Sequence, residues 1–77
     1  MGRFEMITAT DDGWTYETNL PDGRLSVSTT DRGEIEFAAD MAGVISVDDL
    51  VAELPTARVS LTNESGGLET TDIFPAA

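Results

Sequence analysis

The chain has no cysteine, histidine, lysine or glutamine, and its four basic residues, Arg3, Arg24, Arg32 and Arg58, stand against fifteen Asp and Glu. Each absence closes a route. Without cysteine no disulfide can staple the fold, and without cysteine and histidine a zinc site lacks its usual ligands. Without an imidazole neither a Ser-His-Asp nor a Cys-His arrangement can be assembled. Without lysine there is no Schiff-base amine and no phosphate-gripping ammonium. General-base chemistry would fall to Asp and Glu alone. A carboxylate pair could serve a glycosidase or hold Mg²⁺, but either needs a cleft walled by a larger body than 77 residues supply. The expectation is a protein that is not an enzyme, with no cofactor and no metal.

Long apolar runs are missing as well. The longest are a few residues, against the roughly 20 that a membrane-spanning helix requires, and residues 1–5 carry no signal-peptide core. A soluble, cytoplasmic protein is expected, with no membrane partner. Gly66-Gly67, within Asn63-Glu64-Ser65-Gly66-Gly67, has neither the spacing nor the lysine of a phosphate-binding loop and reads as a hairpin turn. A chain of this length forms one domain, residues 1–77, and buries only about 60–65% of its extended surface, so the core must be thin.

What the chain does have is a ten-residue rhythm. Glycine recurs at Gly13, Gly23, Gly33 and Gly43, the first three each preceded within two residues by aspartate. Asp-Gly tolerates the backbone of tight hairpins, and Pro21 presets a turn entry ahead of Asp22. Between these turns lie segments rich in aromatic and β-branched residues, so residues 3–10, 14–20, 24–30 and 34–39 are predicted as four strands of an antiparallel meander. Alternation assigns their faces. Phe4, Met6, Trp14, Tyr16, Thr18, Leu20, Leu25, Val27, Thr29, Ile35, Phe37 and Ala39 fall on one side. Glu5, Thr15, Glu17, Asn19, Arg24, Ser26, Ser28, Thr30, Glu34 and Glu36 fall on the other.

The apolar side needs a cover. Val47, Leu50, Val51 and Leu54 fall at i, i+3, i+4 and i+7, one face of a helix that Ser46 caps, Asp48 and Asp49 favour through the helix dipole, and Pro55 ends. Residues 58–62, with Val59 and Leu61 inward, and 68–73 read as a second hairpin around 63–67. Residues 40–45 read as either loop or a fifth short strand, and residues 72–77 as a flexible tail. The fold class is thus α+β, mostly β. It combines an antiparallel meander of about four strands, one short helix and a C-terminal hairpin, as a small open sheet or a partly closed barrel.

The formal net charge of −11 is the strongest functional signal. A surface of carboxylates can imitate the phosphates of nucleic acid and occupy the basic groove of a protein that binds it. Salt adaptation, solubility or chance in a small acidic domain produces the same composition, and arginine retained without lysine suits a GC-rich genome or a salt-loving one. Nucleic acid itself is an unsuitable ligand, because four arginines among fifteen acids would repel a phosphate backbone. The sharpest reading is a small intracellular protein that acts by stoichiometric binding to a partner with a basic surface, an inhibitor or regulator of the sort phages and mobile elements encode. Its partner-binding residues would be Glu17, Glu34 and Glu36 on the sheet, with the turn acids Asp11, Asp12, Asp22 and Asp31. The competing reading is an accessory subunit of a larger assembly that docks through a sheet edge or the C-terminal tail. Open strand edges also make a homodimer conceivable. Trp14 and Tyr16 are better placed in the core than at a partner. The acid pairs Asp11-Asp12 and Asp48-Asp49 lack the spacing of a calcium loop.

Overall fold

A computed structural model describes residues 7–74. Strands β1 (Ile7–Ala9), β2 (Trp14–Leu20) and β3 (Gly23–Thr29) form a meander. Helices α1 (Arg32–Met41) and α2 (Val47–Ala52) follow, and β4 (Arg58–Ser65) and β5 (Leu68–Phe74) close the chain as a hairpin. All five strands lie in one open antiparallel sheet in chain order, so the expected α+β, mostly β architecture holds and the sheet does not close into a barrel. The part of the first predicted strand before Ile7, with Phe4, Glu5 and Met6, lies outside the described residues, as do residues 75–77 of the predicted tail. Residues 72–74 of that tail form the end of β5.

Turn chemistry sets the hairpins. Gly66 and Gly67, both with left-handed φ angles of 61° and 86°, join β4 to β5 in a two-residue turn whose twist suits the flanking strands. At Gly13 the constraint is space, since a Cβ there would collide with the carbonyl oxygen of Thr29. The β1–β2 turn can therefore lie against the end of β3 only with glycine at that position.

The faces of β2, β3 and β4 follow the alternation. Tyr16, Leu25, Val27, Val59 and Leu61 point to one side and are buried, and across the ladder Tyr16 stands opposite Val27 and Val27 opposite Val59. Helix α1 lies across β2 and β3 on that side and contributes Ile35, Ala38 and Ala39 to the core. Leu50 and Leu54, from α2 and the residues just after it, with Ala57, complete it. Ser46 caps α2 as expected, accepting from the Asp49 N–H at 3.1 Å.

Residues 34–39 are a helix, which corrects the fourth predicted strand. Ile35, Phe37 and Ala39 do alternate, yet Ile35, Ala38, Ala39 and Ala42 also fall at i, i+3, i+4 and i+7, and alanine and glutamate favour helix over strand. The deciding feature is the start signal Asp31-x-x-Glu34, in which the Asp31 carboxylate accepts from the Glu34 N–H at 3.2 Å. The thin core explains the need for this helix: α2 has only six residues and cannot cover the sheet alone. Residues 42–45 form a turn closed by the Val44 N–H to Met41 carbonyl bond of 2.9 Å and an isolated bridge between Ala42 and Ile45, not a strand of the sheet.

Candidate acidic surface

The correction of α1 moves carboxylates from one side of the molecule to the other. Glu34 and Glu36, expected beside Glu17 on the polar face of the sheet, stand on α1, on the opposite side of the sheet from Glu17. The segment 31–53, which forms the helical layer, carries Asp31, Glu34, Glu36, Asp40, Asp48, Asp49 and Glu53 against Arg32 alone. The other face of the sheet carries Glu17, Glu64 and Glu69 against Arg24 and Arg58, among Thr15, Ser26, Ser28, Ser60, Thr62 and Thr71. Charge is therefore unevenly divided between the layers. Asp48, Asp49 and Glu53 belong to this acidic layer although they were not among the predicted partner-binding residues. The signal for them was the polar side of the very helix pattern that located α2.

Three of the seven predicted residues are engaged in local structure. Asp31 caps α1. The half-buried Glu34 carboxylate accepts from Thr29 Oγ1 at 2.9 Å, from Thr56 Oγ1 at 2.7 Å and from the Thr56 N–H at 3.2 Å. It thereby ties the end of β3, the start of α1 and the loop before β4 together. Thr29, the buried polar residue at this junction, also accepts from the Asp31 N–H at 3.0 Å. Its hydroxyl thus completes the capping box by relay, standing between the Glu34 carboxylate and the N-cap N–H that such a glutamate usually reaches directly. Glu36 accepts from Arg32 Nε at 3.0 Å, and the Arg32 guanidinium lies 5.4 Å from the centre of the Trp14 ring.

The remaining predicted residues are scattered. Asp11 and Asp12 sit in the β1–β2 turn, at the end of the sheet where α1 begins, and Asp12 lines a shallow cleft of about 370 Å³ with Trp14, Thr30 and Thr56. Asp22 lies at the other end, where a cleft of about 440 Å³ is also lined by Arg24, Glu64 and Glu69. Glu17 is isolated on the open face. The structure therefore gathers Asp11, Asp12, Asp31, Glu34 and Glu36 on the helical side and near one end, and leaves Asp22 and Glu17 apart. Tyr16 is buried, whereas Trp14 is half-buried under Arg32.

Among the described residues no group of three or more Asp and Glu is placed to hold a metal ion, and no helix is long and apolar enough to cross a membrane. Compared with family models, curated proteins and solved structures, the chain shows no significant match to any of them.

Proposed function

We propose that this chain is a small, non-catalytic cytoplasmic protein that binds stoichiometrically to a basic surface through its acidic helical side. The sharpest form of the proposal is an inhibitor or regulator that occupies the basic groove of a nucleic-acid-binding protein. The single observation that supports it is the asymmetry of charge: seven carboxylates and one arginine in the helical layer, with that arginine paired to Glu36. A coat needed only for solubility has no reason to favour one layer. The docking residues under this reading are Glu36, Asp40, Asp48, Asp49 and Glu53, joined by Asp11, Asp12 and Asp31 at one end. Glu34 contributes charge but serves first as a structural clamp.

The test compares two neutralised variants in capture from the native host at low and high salt. One carries Glu36→Gln, Asp48→Asn and Glu53→Gln, and the other carries Glu17→Gln, Glu64→Gln and Glu69→Gln on the open face. The expected result is one basic protein retained by the natural chain and by the open-face variant, released at high salt, and lost from the helical-layer variant. Retention by the helical-layer variant would sink the proposal. Salt adaptation makes a different forecast, a fold that forms only at molar salt, and thermal melting across a salt series separates the two.

A further inference from the structure

The far edge of the sheet has its own chemistry. β5 pairs with β4 along its whole length, from Val59 opposite Phe74 to Ser65 opposite Leu68, in an unbroken register. It is the last strand in the sheet order, so among the described residues its outer edge has no partner strand. Edge strands of stable monomers are usually short, bulged, charged, or interrupted by proline. β5 has seven residues, Leu68-Glu69-Thr70-Thr71-Asp72-Ile73-Phe74, with no bulge, proline, lysine or glycine, and its charge is confined to Glu69 and Asp72. Among the described residues, two of the three exposed large hydrophobic side chains, Leu68 at 72% and Ile73 at 73%, lie on it.

The order of residues in β5 is self-complementary. An antiparallel pairing of two β5 strands about a twofold axis through Thr71, normal to the sheet, matches all seven residues and keeps both helical layers on one side. It sets Leu68 opposite the partner's Phe74, Glu69 opposite the partner's Ile73, Thr70 opposite the partner's Asp72, and Thr71 opposite its own copy. Leu68 and Phe74 lie on the core side of the strand, as the pairing of Phe74 with Val59 fixes. Leu68 then meets the partner's Phe74, Ile73 lies beside the aliphatic stem of the partner's Glu69, and no carboxylate directly faces another. Sliding the strands by one pairing step shortens the ladder, and in one direction sets Asp72 against the partner's Asp72.

We propose that the outer edge of β5 is a homodimer interface, on which a second copy of this chain adds its own β5 in the Thr71-centred register to make one continuous ten-stranded sheet. An interface of one strand edge falls in the small size class, so the dimer is weak and concentration-dependent. Each copy carries a net charge of −11, so salt must strengthen it by screening repulsion. Docking on a basic partner has the opposite salt response. The two proposals therefore succeed or fail separately.

The test uses the full chain in sedimentation equilibrium, over a concentration series reaching the millimolar range, at about 0.1 M and about 1 M NaCl. The expected result is a monomer–dimer equilibrium that tightens at the higher salt. Ile73→Glu places a carboxylate opposite the partner's Glu69 twice per dimer and should weaken association about tenfold, whereas adding Glu69→Lys to it should restore association. Because the natural chain has no cysteine, Thr71→Cys supplies a direct check on register: mild oxidation should link two copies through that position, and Thr8→Cys on the distant β1 should not link. A chain that stays monomeric at high salt and concentration would overturn the proposal, as would dimers in which Thr71→Cys fails to cross-link.

Discussion

Along β2, β3 and β4 each residue on the covered face of the sheet alternates with one on the open face, and the two sets could hardly differ more. Tyr16, Leu25, Val27, Val59 and Leu61 are sealed beneath the helices. Their chain neighbours Glu17, Ser26, Ser28, Ser60 and Thr62 look outward from the other side, small and hydroxylated for the most part. A sheet with only one cover concentrates its apolar burial on one face, and for a buried aliphatic side chain that burial contributes about 1.5–3 kcal/mol. The open face adds little packing. The contrast shows why the acidic residues can crowd the helical layer: its inner side is fixed by Ile35, Ala38, Leu50 and Leu54, so its outer side is free to carry charge.

The largest effect that would sharpen this contrast comes from the centre of the covered side. Ile35 is fully buried between α1 and the sheet, and Ile35→Ala should cost about 2–5 kcal/mol through lost transfer energy and the cavity left behind. A domain of this size has roughly 4–12 kcal/mol in total, so the variant should be largely unfolded at modest denaturant. Ser26→Ala, on the open face in the middle of β3, should change stability by less than about 0.5 kcal/mol. Urea unfolding of both variants checks the pair. Equal losses would mean that the open face is packed against something, and the one-sided account would fall.

A smaller effect separates two glutamates of equal charge. Glu34→Ala removes the acceptor for Thr29 Oγ1 and for both donors of Thr56, and should cost about 1–3 kcal/mol because a half-buried junction loses its clamp. Glu17→Ala on the open face should stay within about 0.5 kcal/mol. Thermal melts of the two at one pH decide the matter. If they coincide, the relay through Thr29 is decoration and α1 is held by its apolar side alone.

That pair also marks where the sequence could be read and where it could not. The strands β2, β3 and β4 and the helix α2 are legible because each carries one period only and is bounded by its own turn or cap, as with Ser46 before α2, whereas β5 mixes polar and apolar residues on both faces and is legible only as the return arm of the Gly66-Gly67 turn. Residues 34–39 carry two periods at once. Ile35, Phe37 and Ala39 alternate, while Ile35, Ala38 and Ala39 step by a helical turn, and the glycine rhythm made Gly33 look like a turn. Only the cap, Asp31-x-x-Glu34, breaks the tie, and a cap is worth about 1 kcal/mol against a pattern that extends over the whole segment. As strand, residues 34–39 put Glu34 and Glu36 beside Glu17 on one face. As helix, they join Asp48, Asp49 and Glu53 instead. That Glu34 is a clamp was not legible, because its partner Thr56 lies 22 residues away and the contact depends on tertiary packing.

The smallest effect tests whether surface charge also fastens the helical layer. Arg32 and Glu36 form an i, i+4 pair with the cation first, the less favourable order along a helix, and their side chains are 60% and 58% exposed. Such a pair contributes at most a few tenths of a kcal/mol and fades in salt. The guanidinium over Trp14 adds about 0.5–1 kcal/mol at an exposed site. Arg32→Gln should therefore cost less than about 1 kcal/mol. The indole emission should shift on substitution, since Trp14 would lose its cover on that side. A cost as large as that of Glu34→Ala, vanishing with salt, would mean that α1 is held down by surface charge, and the division between a buried fastening and a free acidic exterior would not stand.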